Sequence, residues 1–285
     1  MQGDSTGEPA RTPRELAKLL WTQHQDRTRF ESLADLLPSG QVADAYSVQE
    51  ELVHLMTPAQ GRPAGYKIGL TSVVMRRMCG LDQPVAGVIL ERRVHRGPAR
   101  IASRDFVRLG VESELCLVIG QDLPLRPSPC TLEEAARAVG GVAAAFELVD
   151  DREADYARLD ACSLIADNSW NAGVVLGEVA PLRAGSPLGM DSPLRAASTS
   201  IDIGALGGVL RINGQVADRG NSADALTHPF AIVQWLSEHL RSRQSHLRAG
   251  DLVMTGSVVA TRFAKPGEHY HFELTGLPPA ELRVT

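Results

Sequence analysis

The sequence predicts an α+β fold: a helical N-terminal segment leading into a mostly β body. Three observations carry this expectation. Leucines repeat at helical spacing near the N-terminus, short apolar runs broken by Gly and Pro take over from residue 65, and two later segments carry helix-start signals. The 285 residues suffice for one large domain or two modest ones, and an apolar share of 44% is ordinary for a packed core.

Taken in order, residues 1–12 are polar and lack the apolar core of a signal peptide, so a disordered lead-in is expected there. Residues 13–62 read as a helical segment. Leu16, Leu19 and Leu20 mark a first helix, and Tyr46, Val48, Leu52 and Leu55 mark a second that should end before Pro58. Residues 63–285 read as a β-rich domain. Its strand candidates are GYKIGLTS, VAGVILERRV, FVRLGVESELCLVIG, AAFELVDD, NAGVVLGE, GGVLRING, DLVMTGSVVA and HYHFELTGL. One helix begins at Thr131, whose spacing to Glu134 is that of a capping box. Another follows His228-Pro229, with Phe230, Val233, Leu236 and Leu240 on one face.

Composition narrows the function classes. A net charge of −5 offers no global basic field for nucleic acid. No run of about 18 apolar residues argues for a membrane span. Cys79, Cys116, Cys130 and Cys162 form no C-x-x-C pair, which fits a reducing cytoplasm. GALGG and VGGVAAA lack the strand–G-x-G-x-x-G–helix context of a dinucleotide site, and Ser257 in TGSV is not in a nucleophile elbow. His269 and His271 would share a strand face, but a third metal ligand is not evident nearby, so a surface or paired role is expected.

The unusual feature is GVESELCLVIG. Glu112 and Glu114 are two apart on a strand, so they share a face within an apolar run. Solvent exposure on an edge strand, paired with Arg92, Arg93 or Arg108, is the plain explanation. A third carboxylate, Glu147, lies between Phe146 and Leu148 in a similar setting. Clustered carboxylates raise one another's pKa, and a hard divalent cation with oxygen preference relieves them. Lys67, between Tyr66 and Ile68, sits in a strand-like run where desolvation lowers a lysine pKa and fits it for acid–base work.

GYKIGLTS, VESELCLVIG, FELVDDR, IADN…AGVVLG, THP and GDLVMTG…KPGEHYHFELTGL occur in this order from about Ala43 to the C-terminus. Together they resemble the 2-keto-4-pentenoate hydratase and 4-oxalocrotonate decarboxylase family of the fumarylacetoacetate hydrolase superfamily. The resemblance implies a mixed β-roll or sandwich with flanking helices, usually as a homo-oligomer. It implies Mg²⁺ or Mn²⁺ on Glu112, Glu114 and Glu147, Lys67 as the catalytic residue, and Thr71, Ser169, Asn171 and Ser257 around the substrate. The implied activity is that of a cytoplasmic metal-dependent lyase hydrating a short 2-hydroxy-2,4-dienoate or 2-oxo-alkenoate, as in aromatic meta-cleavage catabolism. Decarboxylation of a 4-oxalocrotonate-like diacid is the alternative, and a non-catalytic ligand-binding or partner subunit is the alternative from another class.

The sequence departs from the family at two places. Hydratases of the family carry D-x-P-D-[FY]-G, whereas Asp82-Gln83-Pro84-Val85-Ala86-Gly87 places Val85 at the second acid. The segment D-N-A-S-S reads Asp167-Asn168-Ser169-Trp170-Asn171. MTG at 254–256 is decarboxylase-like. The metal half of the site is intact, and the half that decides the substrate's fate is altered.

Overall fold

The structure, a computed structural model, describes residues 11–37, 41–182, 194–196, 199–225 and 228–285. The expected lead-in therefore lies outside the described residues, except for residues 11 and 12. Thr12 closes a capping box with Glu15 over α1 (Pro13–Asp26). Next come α2 (Val42–Gln60), β1 (Pro63–Gly69), α3 (Val73–Met78), β2 (Val85–Leu90), β3 (Val94–Arg96) and β4 (Ala99–Ile101). The centre of the chain forms β5 (Leu109–Ile119), α4 (Leu132–Ala138), β6 (Val139–Asp150), α5 (Ala161–Ala166), β7 (Asn171–Leu176) and β8 (Ala180–Pro181). After β9 (Leu194–Ala196) and β10 (Thr199–Ile201) come β11 (Gly207–Ile212), β12 (Gln215–Asn221), α6 (Ser222–Ala225) and α7 (Pro229–Ser242). The chain closes with β13 (Leu252–Ser257), β14 (Arg262–Phe263), β15 (His269–Leu274) and β16 (Ala280–Val284).

Every strand expected from the sequence is present. A nine-stranded mixed sheet runs β2-β1-β13-β5-β6-β7-β3, with β14 paired to β5 and β8 to β6. A five-stranded sheet runs β12-β11-β15-β16-β4. Leu115, Leu117, Phe146 and Leu148 from one face of the large sheet pack with Leu210, Tyr270, Phe272 and Leu282 of the smaller one and with α7. That packing is the main core. The opposite face of the large sheet carries Lys67, Val85 and Gly87, with Lys67 paired to Gly87 and Val85 to Gly69 across β1 and β2. Val85 joins Leu16, Leu20, Tyr46, Leu52 and Ile165 in a second cluster, so α1, α2 and α5 cover this part of the face.

Two helical expectations need correction. Residues 27–37 do not continue α1, because Arg27 adopts a left-handed conformation (φ 53°) that ends it. α2 also runs through Pro58 to Gln60. Pro58 lies in the last turn, where its missing N–H removes a single rung, and the Gly61 N–H to Thr57 carbonyl bond closes the end. The start signals at Thr131 and His228 are real. Thr131 and Glu134 form the capping box of α4, and His228 Nδ1 accepts from the Phe230 N–H at 3.2 Å to cap α7. Thr227 lies outside the described residues.

Candidate metal centre

β5 lies inside the large sheet between β13 and β6, so the edge-strand reading of its acids fails. In the antiparallel register Glu112 stands opposite Glu147, and Glu114 opposite Ala145 one rung on. Paired residues share a face, so the three carboxylates converge. One oxygen from each lies within 4.8 Å of the others. Glu114 and Glu147 are fully buried, and Glu112 is half-buried. Two of the three arginines offered as partners are engaged elsewhere: Arg92 donates to the Ala59 carbonyl, and Arg108 to Asp151 at 2.8 Å.

Each carboxylate is held by one oxygen. Glu114 Oε2 accepts from the Gly256 N–H at 2.9 Å, and Glu112 Oε1 from the Thr261 hydroxyl at 2.7 Å. Glu147 Oε1 accepts from the Asn171 amide at 2.9 Å and lies 3.3 Å from Lys67 Nζ. Glu114 Oε1 and Glu147 Oε2 are buried without a hydrogen-bond partner among the described residues. Orphaned carboxylate oxygens in a dry site are expensive, and they are what a coordinated cation would occupy. An all-oxygen, acid-rich donor set suits a hard dication such as Mg²⁺ or Mn²⁺.

The electrostatics agree. Burial, reinforced by the neighbouring acids, raises Glu114 well above the carboxylate range, and burial raises Glu147 to about 7. Lys67 departs from the sequence expectation. Burial pulls its pKa down, but Glu147, Glu112 and Glu114 outweigh it, and the net shift is upward. While the acids are bare, Lys67 keeps its proton.

The residues expected around the substrate are distributed unevenly. Asn171 reaches Glu147 directly, and Ser257 pairs with Glu114 in register, its hydroxyl donating to the Val259 carbonyl at 2.6 Å. Thr71 lies against Gly256: a Cβ on that glycine would meet the Thr71 side chain at 2.7 Å, and its φ of +96° disfavours any other residue. Gly256→Ala is therefore expected to shift the N–H that holds Glu114 and to weaken Mn²⁺ binding by roughly 10-fold in a calorimetric titration. Ser169 is buried, its hydroxyl donating to the Ala86 carbonyl at 3.4 Å.

Val85 is buried on the same face as Lys67, and both lie against Gly69, so the position of the family's second acid is apolar. Asp82 is exposed in a shallow pocket against α7. His269 and His271 pair with Glu281, and His271 also with Glu273, away from the three acids.

Sequence reasoning missed Thr261, which no motif flags, and the conformation of the turn before β7. Asn168, Ser169 and Trp170 are consecutively left-handed, with φ of 51°, 50° and 58°. Such residues cost of order 1–3 kcal/mol each and persist only where neighbours enforce them.

Comparison with known proteins places these features in context. Residues 83–285 match the family described as "Fumarylacetoacetate (FAA) hydrolase C-terminal". The chain is 30% identical over 265 residues to a 2-oxo-hept-4-ene-1,7-dioate hydratase of Escherichia coli, covering 90% of this chain and 92% of that one. It is 26% identical over 246 residues to a 4-oxalocrotonate decarboxylase of Pseudomonas putida, covering 86% of each. In fold it is similar to the 4-oxalocrotonate decarboxylase from Pseudomonas putida G7 complexed with magnesium and adipate, with a TM-score of 0.82 at 24% identity and coverage of 96% and 97%.

Proposed function

Because the chain belongs to the fumarylacetoacetate hydrolase C-terminal family, we propose that it is a divalent-metal-dependent lyase hydrating a short 2-hydroxy-2,4-dienoate or 2-oxo-alkenoate. The observation that carries this reading is the convergence of Glu112, Glu114 and Glu147, two of them with orphaned oxygens, beside a buried lysine. Glu112, Glu114 and Glu147 hold Mg²⁺ or Mn²⁺, matching the magnesium named for the solved relative. When bound, the cation supplies a chelation point for a 2-oxo acid and electrostatic stabilisation of enolate charge.

The chain's own groups do the rest. Lys67 holds its proton against the bare acids, while burial opposes them; were a dication to neutralise those acids, burial would dominate and make that proton transferable. Moving a proton from the 2-hydroxyl to the far end of the dienol converts it to an α,β-unsaturated ketone, to which water adds. Asn171 keeps Glu147 oriented, and the cover of α1, α2 and α5 restricts bulk water. Under this reading the enzyme is a cytoplasmic homo-oligomer acting on a small-molecule acid. No helix among the described residues is long and apolar enough to cross a membrane.

Val85 favours a second reading, decarboxylation of a 4-oxalocrotonate-like diacid, because the apolar side chain beside Lys67 cannot position water. One experiment separates them. Protein loaded with Mg²⁺ is given 2-hydroxypentadienoate and 4-oxalocrotonate, with CO₂ and hydrated product followed together. Hydrated product without CO₂, lost on chelation and restored by Mg²⁺ or Mn²⁺, is expected. CO₂ as the main product selects the second reading, and undiminished turnover after exhaustive chelation overturns both.

A further inference from the structure

We propose that Asp167 is a positioning residue, and that His24 of α1 and Arg152 form the clamp through which it sets the geometry of Glu147. The inference rests on the reading of the three glutamates as a metal site. Asp167 is the C-cap residue of α5 and is fully buried. Its two oxygens are both engaged by nitrogen donors: His24 Nε2 lies 2.6 Å from Oδ1, and Arg152 Nη2 lies 2.6 Å from Oδ2. Although burial raises the Asp167 pKa, His24 and Arg152 outweigh it, and the carboxyl stays ionised. An ionised carboxylate only accepts, so His24 Nε2 carries the donated proton.

Arg152 is 1% exposed, and its Nη1 donates to Gln23 Oε1 at 3.3 Å, so α1 grips both members of the pair. Well-packed apolar residues could fill this space with similar stability, because buried ion pairs repay little of their desolvation. The charged clamp therefore calls for a reason beyond stability, and its position supplies one. The three left-handed residues begin immediately after Asp167. Asn168 pins the turn to β2 through both of its amide atoms, accepting from the Val88 N–H at 2.7 Å and donating to the Val88 carbonyl at 2.9 Å. Gly87 leaves room for this, since a Cβ there would meet the Asn168 carbonyl at 2.6 Å.

With its start gripped by α1 and its middle pinned to β2, the turn ends at Asn171, whose amide takes Glu147 Oε1. That bond leaves Oε2 as the orphaned oxygen of a carboxylate that converges with Glu112 and Glu114. The chain of contacts thus runs from His24 through Asp167 and the strained turn to a metal ligand. α1 ends well before residue 83, where the family match begins, so a segment outside the matched region belongs to the working site.

The test uses the full chain and Mn²⁺ as the probe, with affinity read by electron paramagnetic resonance without substrate. His24→Ala is expected to weaken Mn²⁺ binding by roughly 10-fold, and to lower kcat on 2-hydroxypentadienoate more than it changes KM. His24→Gln, which restores an N–H donor, is expected to recover most of both losses. His24→Leu, which fills the space without a donor, should behave like the alanine variant and serves if that variant does not fold. Unchanged Mn²⁺ affinity in a folded His24→Ala or His24→Leu protein that merely melts at lower temperature overturns the proposal. So does a His24→Gln protein as impaired as His24→Leu. If the wild type binds Mn²⁺ but turns over no dienoate, the lyase reading falls and the affinity comparison still decides the clamp.

Discussion

Glu147→Gln is expected to abolish divalent-metal binding and turnover together while making the metal-free protein more stable near pH 7. The substitution removes the anionic Oε2 that has no hydrogen-bond partner among the described residues, and a neutral amide is a poor ligand for a hard dication. Affinity should fall at least about 100-fold, visible as loss of the calorimetric Mg²⁺ signal. The stability gain follows from the pKa. Burial places Glu147 at about 7 in the folded protein, against 4.5 for an ordinary glutamate. Between those values the folded chain holds a proton that the unfolded chain releases. The associated stability is present below 4.5 and is lost as pH rises towards 7. Metal-free wild type should therefore melt at progressively lower temperature from pH 5 to 7.5 than Glu147→Gln measured alongside it. Parallel melting curves for the two proteins across that range would refute the buried-charge account, and metal-dependent turnover by the variant would remove Glu147 from the site.

Lys67→Met should have the opposite signature, with turnover lost and metal retained. The methionine thioether can occupy the channel over Gly87 that the lysine stem fills, but it carries no proton to transfer. A loss of about 10³-fold in kcat is expected, within the range of a general acid–base group. Removing the cation 3.3 Å from Glu147 takes a competing positive charge away from the acids, so Mn²⁺ should bind as tightly or more tightly. Turnover within a factor of about ten of wild type would take the proton-transfer role away from Lys67. Together the two variants separate holding the cation from moving the proton.

The acids were legible in sequence because strand geometry is strict. A two-residue spacing forces Glu112 and Glu114 onto one face, and no helical reading accommodates GVESELCLVIG as well. Their placement on an interior strand was not legible, because β5 pairs with β13, far along the chain. The same distance hid the partners of His24 and Thr261, which lie 143 and 149 residues away from the groups they bind. Lys67 shows a different limit. Burial was readable from its neighbours, but the sign of its pKa shift depends on three acids that only the folded sheet brings together. The turn at 168–170 carried the signal of Trp170 in place of a small residue, while its left-handed backbone answers to tertiary contacts that local propensity does not encode.

Pairing of β5 with β6 along the whole of β5 has a consequence for how the protein opens. Amides exchange with solvent soonest where hydrogen bonds fray and latest in the innermost strands. The three acids ride on the two strands whose ladder should be the last to exchange. Segments that shape the surroundings, such as the Asn168–Trp170 turn and the residues before β2, are short connections between a helix and a strand, outside the β5–β6 ladder. Sub-global opening should thus disturb the substrate's surroundings long before it separates the carboxylates, and their separation should coincide with complete unfolding.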